Sequence, residues 1–324
     1  MYIATDLHGH SRFSDGTAEP EQFVDARHQA GVHIVALTDH DIFAGVPQAA
    51  ATAEAHGQLL IPAMEATSFI HFGQSEAEQL HILAYFPPRM LQNGALFQTF
   101  LYRRGLQVQQ RWRDFVLTFL DALPTSDYDA LDPQRQLQTR PATDFPGLQR
   151  LIDLVTKKRP QIFKHLIRSH VRFWTEDKAL FGWGPEELID AIRADGGIDI
   201  VAHPARYRDK ERLARVLLGA SGIEVYTSRH RPAWAAYFRD LAERLGKLWT
   251  ASSDDHQKGA YQRPGCGTPL VTVERLLDAP VPAHCLTPAL TQPTESVGCV
   301  SAGDRKSTRL NSSHRLTSRM PSSA

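Results

Sequence analysis

Short apolar, β-branched runs that each lead into histidine or acidic residues constrain this chain more than any other feature. Seven such runs are predicted to be strands, and helical patterns lie between several of them. The runs are Tyr2–His8, His33–His40, Leu59–Thr67, His81–Phe86, Ile198–Pro204, Gly222–Ser228 and Leu248–His256. Alternating strands and helices imply a parallel sheet with helices outside it, either open or closed into a barrel.

The composition narrows the classes of protein to consider. The formal net charge is zero, which gives no support to a dedicated nucleic-acid-binding protein. No apolar run approaches the roughly 20 residues that a membrane span needs, and no signal peptide precedes the first motif. The cysteines Cys266, Cys285 and Cys299 are odd in number and lack C-x-x-C spacing, which argues against a thiolate zinc site and suits a reducing compartment. We therefore expect a cytoplasmic protein without a membrane partner.

The stretch 87–184 interrupts the alternation between the fourth and fifth predicted strands. Its segments are a helical pattern at Ala95–Leu123, a loop-like composition at Pro124–Gly147 and further helical patterns at Leu148–Lys157 and Ile162–Val171. We predict that 87–184 is a mostly helical insertion that forms a lid or a substrate wall. Residues 1–86 and 185–285 would then form the main domain.

The segment 301–324 is rich in Ser, Thr and Arg and shows no periodicity, so it is predicted to be disordered. Part of it, 304–314, resembles translated sequencing-adapter sequence. We treat the segment as a non-native tail and leave it out of the fold.

Nine side chains with metal-binding chemistry follow or begin the predicted strands, and we call them the ligand set. They are His8, His10, Asp15, His40, Glu65, His81, His203, Asp254 and His256. Any one of these alone is more often structural, but their joint position at strand ends is where parallel α/β barrels build active sites. Imidazole and carboxylate ligands without thiolate suit zinc, manganese or iron. The pattern therefore predicts a hydrolytic metal centre.

Several motifs resemble the PHP family, which is named for polymerase and histidinol phosphatase domains. They are D-L-H-x-H-S-x-x-S-D-G, T-D-H, an isolated glutamate, H-I-L-x-Y-F, A-H-P and S-D-x-H, within residues 2–86 and 185–270. The resemblance implies a distorted (β/α)7 barrel and three divalent cations: manganese, zinc or iron, with magnesium possible. Within the family the chain is similar to 3′,5′-nucleoside bisphosphate phosphatases and 5′-to-3′ exoribonucleases.

The resemblance also implies which residues hold each cation. The first would be held by His8, His10, Glu65 and Asp254. Glu65 would bridge to the second, which His81 and His203 complete. The third would be held by Asp15, His40 and His256. Because competent ligands fill all these positions, a degenerate, non-catalytic member is disfavoured. The neighbouring acids Asp6, Asp39 and Asp255 either orient ligand imidazoles or act as capping or surface acids.

Such a centre predicts hydrolysis of a phosphate ester. Divalent ions lower the pKa of bound water, so a metal-bound hydroxide would attack phosphorus without a protein nucleophile. The leaving-group acid would be a metal-bound water or His230. The sequence has no G-x-S-x-G elbow, no Walker A run and no G-x-G-x-x-G run, so acyl transfer and dinucleotide chemistry have no support.

The residues predicted to contact substrate are Arg159, Arg206, Tyr207 and Arg229. Guanidinium forks match phosphate oxygens, although a solvated arginine is almost as good an interpretation. A tyrosine ring can stack on a base. Similar family members have R-P-H where this chain has Gln161 in the third place, which puts the substrate in doubt. Trp112, Trp174 and Trp183 are interpreted as packing residues.

We predict a substrate that is a small nucleotide bisphosphate or the 5′ end of a short RNA, with no obligate protein partner. One rival is a histidinol-phosphatase-like phosphomonoesterase acting on a small non-nucleotide phosphate. Others are a non-catalytic, metal-binding accessory module and a structural zinc protein, which usually has four closed ligands and often cysteine.

Overall fold

The computed structural model describes residues 1–126, 162–228 and 230–286. Its strands are β1 (Tyr2–Ile3), β2 (Thr5–Asp6), β3 (Ile34–Val35), β4 (Leu59–Leu60), β5 (Ala63–Ile70), β6 (Glu78–Tyr85), β7 (Ile198–Val201), β8 (Gly222–Tyr226), β9 (Leu248–Ala251) and β10 (Thr268–Pro269). Its α-helices are α1 (Pro20–Gln29), α2 (Val46–Ala55), α3 (Pro88–Gln92), α4 (Phe100–Asp121), α5 (Phe163–Glu176), α6 (Lys178–Phe181), α7 (Pro185–Ala194), α8 (Lys210–Gly219), α9 (Pro232–Arg244) and α10 (Leu270–Leu277). Turns of 3-10 helix lie at Ala95–Gln98, Pro204–Arg206 and Ala283–Cys285. Most of the predicted loop Pro124–Gly147, the predicted helix Leu148–Lys157 and the tail 301–324 lie outside the described residues.

The strands form three sheets. β1 and β10 pair antiparallel, and β2, β3 and β4 form a parallel sheet in that order. The largest sheet has the order β5-β6-β7-β8-β9. Within it β6 is antiparallel to both neighbours, whereas β7, β8 and β9 are parallel.

No sheet within the described residues is closed, so the predicted (β/α)7 barrel is not confirmed, although the mixed α/β fold is. The predicted third strand, Leu59–Thr67, is interrupted at Pro62, where proline has no N–H for a strand ladder. The prediction of uniformly parallel strands is wrong at β6. The connection 71–77 is too short for a crossover helix, so β5 and β6 form an antiparallel pair.

Two isolated parallel bridges link the edges of the second and third sheets. One joins Gly9 to Asp255, and the other joins His40 to Glu65. Gly9, His40 and Asp255 lie in the segments that follow β2, β3 and β9, whereas Glu65 lies within β5. The bridges therefore join the segments after β2 and β9 to each other and the segment after β3 to β5, so that residues distant in sequence share one end of the molecule.

Helices from the predicted insertion pack against this end. α4, α5 and α6 share an apolar cluster with Phe13 and Phe69. Arg104 on α4 donates from Nη1 to Asp41 Oδ1 over 2.7 Å. Asp41 directly follows His40 in the sequence. A Cβ on Gly105 would lie 3.0 Å from the Asp41 carbonyl oxygen, so glycine permits this close approach. α4 is thereby fixed against the loop that carries His40.

Two observations concern membrane spans and cysteines. None of the helices in the described ranges is both long and apolar enough to span a bilayer. Cys285 is a buried free thiol.

Candidate metal centre

Gly9 lets the first two histidines of the ligand set sit side by side. Its N–H donates to Thr38 Oγ1 over 3.1 Å, and Thr38 N–H donates to the Gly9 carbonyl over 2.9 Å. A Cβ at Gly9 would lie 2.7 Å from the Phe23 ring, so a larger residue does not fit. His8 and His10 are both fully buried, with ring centroids 5.3 Å apart.

Glu65 is the centre of the site. Its side chain is 1% exposed, and Oε1 lies 2.8 Å from both His81 Nδ1 and His203 Nε2. Oε2 lies within 3.3 Å of three further imidazole nitrogens, in His8, His10 and His40. Five imidazoles therefore surround one buried carboxylate, which is the position expected of a bridging ligand.

Asp15 and Asp254 extend this arrangement. Asp15 Oδ2 lies 3.1 Å from His256 Nε2, and its Oδ1 lies 3.6 Å from His10 Nδ1. Asp254 Oδ1 lies 3.4 Å from His10 Nε2 and 3.5 Å from His8 Nε2. The structure thus brings all nine residues of the ligand set into one connected cluster.

The chemistry of the cluster fits divalent cations. Groups of three residues with ligand atoms within 4.8 Å of one another are His8/His10/Glu65, His8/His203/Asp254, His10/Asp15/His256 and His40/Glu65/His81. The buried atoms of the cluster that make no hydrogen bond within the described residues include His8 Nε2, His10 Nε2, Asp15 Oδ1 and His40 Nδ1. Each buried polar atom left in this state costs about 1–3 kcal/mol. Shared cations would satisfy these atoms.

The observed grouping differs in part from the one that the resemblance implies. Asp15 and His256 group with His10, whereas the third predicted site pairs them with His40. His40 Nε2 lies 3.7 Å from Asp15 Oδ1, and its Nδ1 lies closer to Glu65. The division of the ligand set among three cations remains a prediction.

The pKa values of the cluster are shifted by burial and by the attraction between its imidazoles and carboxylates. Burial raises the pKa of Glu65, but the neighbouring imidazoles, His81 first, outweigh burial and hold it well below its usual range. Burial lowers the pKa of His8, but carboxylates led by Glu224 outweigh burial and raise it well above its usual range. Burial lowers the pKa of His40 to about 4, which keeps this imidazole in the neutral form that binds metals.

Glu224, on β8, is a site residue that the sequence patterns did not single out. It is fully buried, and its Oε1 lies 2.8 Å from His8 Nδ1. Its Oε2 accepts from the backbone N–H of His203 over 2.7 Å. Glu224 therefore orients His8 so that Nε2 faces Glu65. The available signal was a charged residue in the middle of an apolar strand, G-I-E-V-Y.

Replacing Glu224 with glutamine is expected to lower the affinity for manganese by about 10- to 100-fold, because the charged acceptor behind a ligand imidazole is lost. Titration calorimetry on the chelated and reloaded protein measures this affinity. The same substitution at Glu243, exposed on α9, is the matched control. Unchanged affinity in Glu224→Gln would show that the carboxylate does not support His8.

The three acids beside the ligand set hold loops. Asp39 accepts from Ser11 Oγ and Ser14 Oγ, both over 2.6 Å, and makes no hydrogen bond to an imidazole within the described ranges. Asp39 therefore does not orient a ligand imidazole by a direct hydrogen bond within these ranges. Asp6 and Asp255 both accept from the buried guanidinium of Arg27.

The predicted substrate residue Tyr207 and the predicted leaving-group acid His230 are both buried. Tyr207 is 2% exposed, and its hydroxyl accepts from the His81 backbone N–H over 2.8 Å. The same hydroxyl lies 3.2 Å from His203 Nδ1, which makes Tyr207 a positioning residue and leaves its ring no free face for a base. His230 donates from Nδ1 to the Val225 carbonyl over 2.8 Å, and its Nε2 accepts a 3.4 Å bond from the Ala205 N–H, so both ring nitrogens contact backbone. Arg159 and Arg229 lie outside the described residues.

The ligand set opens into a cavity of about 450 Å³. Arg206, for which we predict phosphate binding, lines it, and so does Lys258, which the sequence patterns did not indicate. The cavity also has an apolar side that includes Trp112 and Trp174, which were interpreted as packing residues. The site therefore combines metal ligands, cationic side chains and an apolar surface around one space.

A comparison with known families decides the assignment. The PHP domain profile matches residues 6–220, which include all of the ligand set except Asp254 and His256. The chain belongs to the PHP family. The predicted family and the predicted class of enzyme, a PHP-type phosphoesterase that hydrolyses phosphoric esters, are confirmed.

Relatives of this PHP protein carry several activities. It is 27% identical over 257 residues to a phosphoribosyl 1,2-cyclic phosphate 1,2-diphosphodiesterase of Eggerthella lenta, covering 78% of this chain and 94% of the relative. It is 28% identical over 233 residues to a 5′-3′ exoribonuclease of Haemophilus influenzae, covering 68% and 78%. It is 25% identical over 268 residues to a 3′,5′-nucleoside bisphosphate phosphatase of Chromobacterium violaceum, covering 78% and 87%.

A solved structure shows the same fold. A protein of Bifidobacterium adolescentis assigned as a metal-dependent phosphoesterase superposes with a TM-score of 0.55 at 22% identity, covering 86% of this chain and 97% of that chain. This similarity shows a shared fold, because 22% identity is too low to infer a shared substrate.

Proposed function

We propose that this PHP protein hydrolyses phosphate esters of small nucleotides, either a 3′,5′-nucleoside bisphosphate or the 5′ end of a short RNA. The observation that carries the proposal is the buried cluster around Glu65, open to a cavity that Arg206 and Lys258 also line. Two relatives are named for these two activities. The third is named for a phosphoribosyl diester, so the substrate has to be tested against that class as well.

The ligand set would hold up to three divalent cations, with Glu65 as the bridge between two of them. When bound, such cations would activate a water molecule for attack on phosphorus and neutralise charge on the phosphoryl group. The contribution of the chain is to fix their positions. Glu224 holds His8, and the Tyr207 hydroxyl holds the backbone of His81. No protein nucleophile is needed for this reaction.

Arg206 would bind the phosphate. Its guanidinium is partly buried, lines the cavity and makes no hydrogen bond within the part of the chain that is described. A guanidinium fork can donate two parallel hydrogen bonds to phosphate oxygens. Lys258 is exposed and lines the same cavity, where its ammonium would add a second positive charge.

Replacing Arg206 with glutamine is expected to raise KM roughly 10- to 100-fold, because a charge-assisted hydrogen bond contributes about 1.5–3 kcal/mol. Steady-state phosphate release measures the change. Arg208→Gln is the control, since Arg208 is exposed and pairs with Glu78 at 3.3 Å. Equal KM values in the two variants would remove Arg206 from the substrate site.

The domain organisation follows from the same proposal. Residues 1–86 and 185–285 would carry the ligand set, and the insertion 87–184 would supply a wall of the substrate cavity. The described part of that insertion already contributes Val108, Trp112 and His170 to the lining.

One assay tests the proposal. The protein is stripped with a chelator, reloaded with manganese or zinc, and offered adenosine 3′,5′-bisphosphate, a short 5′-phosphorylated RNA, a phosphoribosyl cyclic phosphate and histidinol phosphate. Turnover of either nucleotide substrate, with metal only, is the expected result. Turnover of histidinol phosphate alone would replace the nucleotide proposal by the phosphomonoesterase alternative. No turnover with any metal would favour an accessory, metal-binding role.

A further inference from the structure

One wall of the catalytic cavity is built from aromatic rings, and we call Phe13, Trp112, Phe173 and Trp174 the aromatic wall. The ring centroids of Trp112 and Phe173 lie 5.2 Å apart, and those of Phe173 and Trp174 lie 5.0 Å apart. These side chains line the same cavity as Asp15, Glu65 and His256. Rings and candidate metal ligands therefore face one shared space.

The aromatic wall offers surface that a phosphate group does not use. Phe13 and Trp112 are buried, but Phe173 and Trp174 remain partly exposed on the cavity. Phosphate is recognised by cations and hydrogen-bond donors, whereas uncovered ring faces gain free energy when an apolar or aromatic group covers them. The wall therefore fits the organic part of a phosphate ester.

His170 adds a hydrogen-bonding group within this wall. It lines the cavity and is 7% exposed, with its ring edge-on to Trp112 at 5.7 Å. Trp174 Nε1 donates to His170 Nε2 over 2.8 Å. Because an indole N–H can only donate, Nε2 is an acceptor, and the proton of the neutral ring lies on Nδ1. Burial lowers the pKa of His170 to about 4, which agrees with a neutral ring.

We propose that the aromatic wall is a subsite for a planar heteroaromatic ring of the substrate, a nucleobase, and that His170, held in one tautomer by Trp174, is a specificity-determining residue beside it. The inference rests on the proposed function, because it places the base of the nucleotide substrate. A cavity of about 450 Å³ is large enough for such a ligand, since small-molecule sites commonly span about 300–1,000 Å³. The proposal separates this chain from phosphoesterases whose substrates carry a sugar phosphate alone.

A matched pair of ligands tests the subsite without turnover. AMP carries a base at the sugar carbon where ribose 5-phosphate carries a hydroxyl, and both are titrated by calorimetry into the full-length protein after chelation. AMP is expected to bind at least about tenfold more tightly, the size of effect that base stacking produces. Equal affinities, or no binding of AMP, would overturn the proposal.

Variants locate the effect. Trp174→Leu is expected to bring the ratio of the two affinities close to one, and His170→Leu is expected to lower it roughly fivefold through the loss of one hydrogen bond. Trp234→Leu is the control, because Trp234 is an indole on α9, 39% exposed, that does not line this cavity. If Trp174→Leu does not fold, as judged by circular dichroism, His170→Leu carries the test. A ratio that stays at the wild-type value in the folded variants would contradict the proposal.

The reloaded enzyme separates this inference from the proposed function. Equal kcat/KM for phosphate esters with and without a base would overturn the subsite and leave the phosphoesterase assignment intact. A base-dependent affinity in a protein that turns over no phosphate ester would leave the subsite in place and remove the proposed reaction.

Discussion

Replacing Glu65 with glutamine is expected to lower the rate of phosphate release by roughly 1,000-fold or more while the chain stays folded. The amide has the size of the carboxylate but lacks its charge, and one carboxylate faces imidazole nitrogens of five histidines at 3.3 Å or less. Bound cations supply several kcal/mol of transition-state stabilisation, and each 1.4 kcal/mol is about tenfold in rate. Losing the shared ligand Glu65 should remove most of that transition-state stabilisation.

Two measurements separate this outcome from unfolding. Far-ultraviolet circular dichroism should be unchanged, and elemental analysis after gel filtration should show less metal per chain than in the wild type. Glu187→Gln is the matched control, since Glu187 caps α7 by accepting from the Gly184 N–H over 2.7 Å and does not line the cavity. Full activity and full metal content in Glu65→Gln would mean that the centre lies elsewhere.

Replacing Arg27 with methionine is expected to reduce the free energy of unfolding by about 3–5 kcal/mol. This is the usual cost of removing one partner of a buried ion pair and leaving the other charge buried. Arg27 is fully buried, with Nε 3.1 Å from Asp6 Oδ2 and Nη2 3.3 Å from Asp255 Oδ2. The guanidinium also lies 3.5 Å from the centroid of the Phe23 ring. Because Asp6 precedes His8 and Asp255 precedes His256, the same substitution should weaken metal binding. Urea unfolding measures the loss of stability.

The stability of the Arg27→Met variant should also depend on pH in a defined direction. Burial raises the pKa of Asp6, and the positive charge of Arg27 opposes that effect. Without Arg27 the pKa of Asp6 in the folded protein rises further, so the folded state binds more protons than the unfolded state above the unfolded pKa. Stability of the variant should therefore fall as pH rises, and its deficit should be larger at high pH than at low pH.

A double substitution separates charge from packing. Asp6→Asn combined with Arg27→Met should cost less than the sum of the single changes, since no buried charge is then left without its partner. Strict additivity, or a loss in Arg27→Met below about 1 kcal/mol, would show that the network does not hold these loops.

The ligand set could be predicted from the sequence because its signal is local. Histidine and acid at the end of an apolar run, as in His8 or His40, combine residue type with a position that parallel strands bring to one edge. The (β/α)7 barrel was implied by the family resemblance. It is not confirmed, because no sheet within the described residues is closed and β6 runs antiparallel to both neighbours.

The supporting residues could not be predicted in the same way. Glu224 lies inside an apolar strand, where pattern reasoning places a side chain in the core, and only its pairing with His8 reveals its role. Trp112 and Trp174 have the helical spacing of packing residues, and they do pack, but they also line the cavity. From the sequence, the ring of Tyr207 is a candidate for stacking on a base, but in the structure its hydroxyl accepts a hydrogen bond from the His81 backbone N–H. In each case tertiary contacts decide what the side chain does.

The central claim is that the nine residues of the ligand set hold divalent cations around Glu65. Anomalous diffraction from crystals of manganese-loaded protein, collected at the manganese absorption edge, tests it most directly. The account predicts peaks beside the Glu65 carboxylate, between the imidazoles of the ligand set, and their loss in Glu65→Gln crystals. An absence of peaks there in fully loaded protein, or peaks confined to other histidines such as His28 and His56, would contradict it.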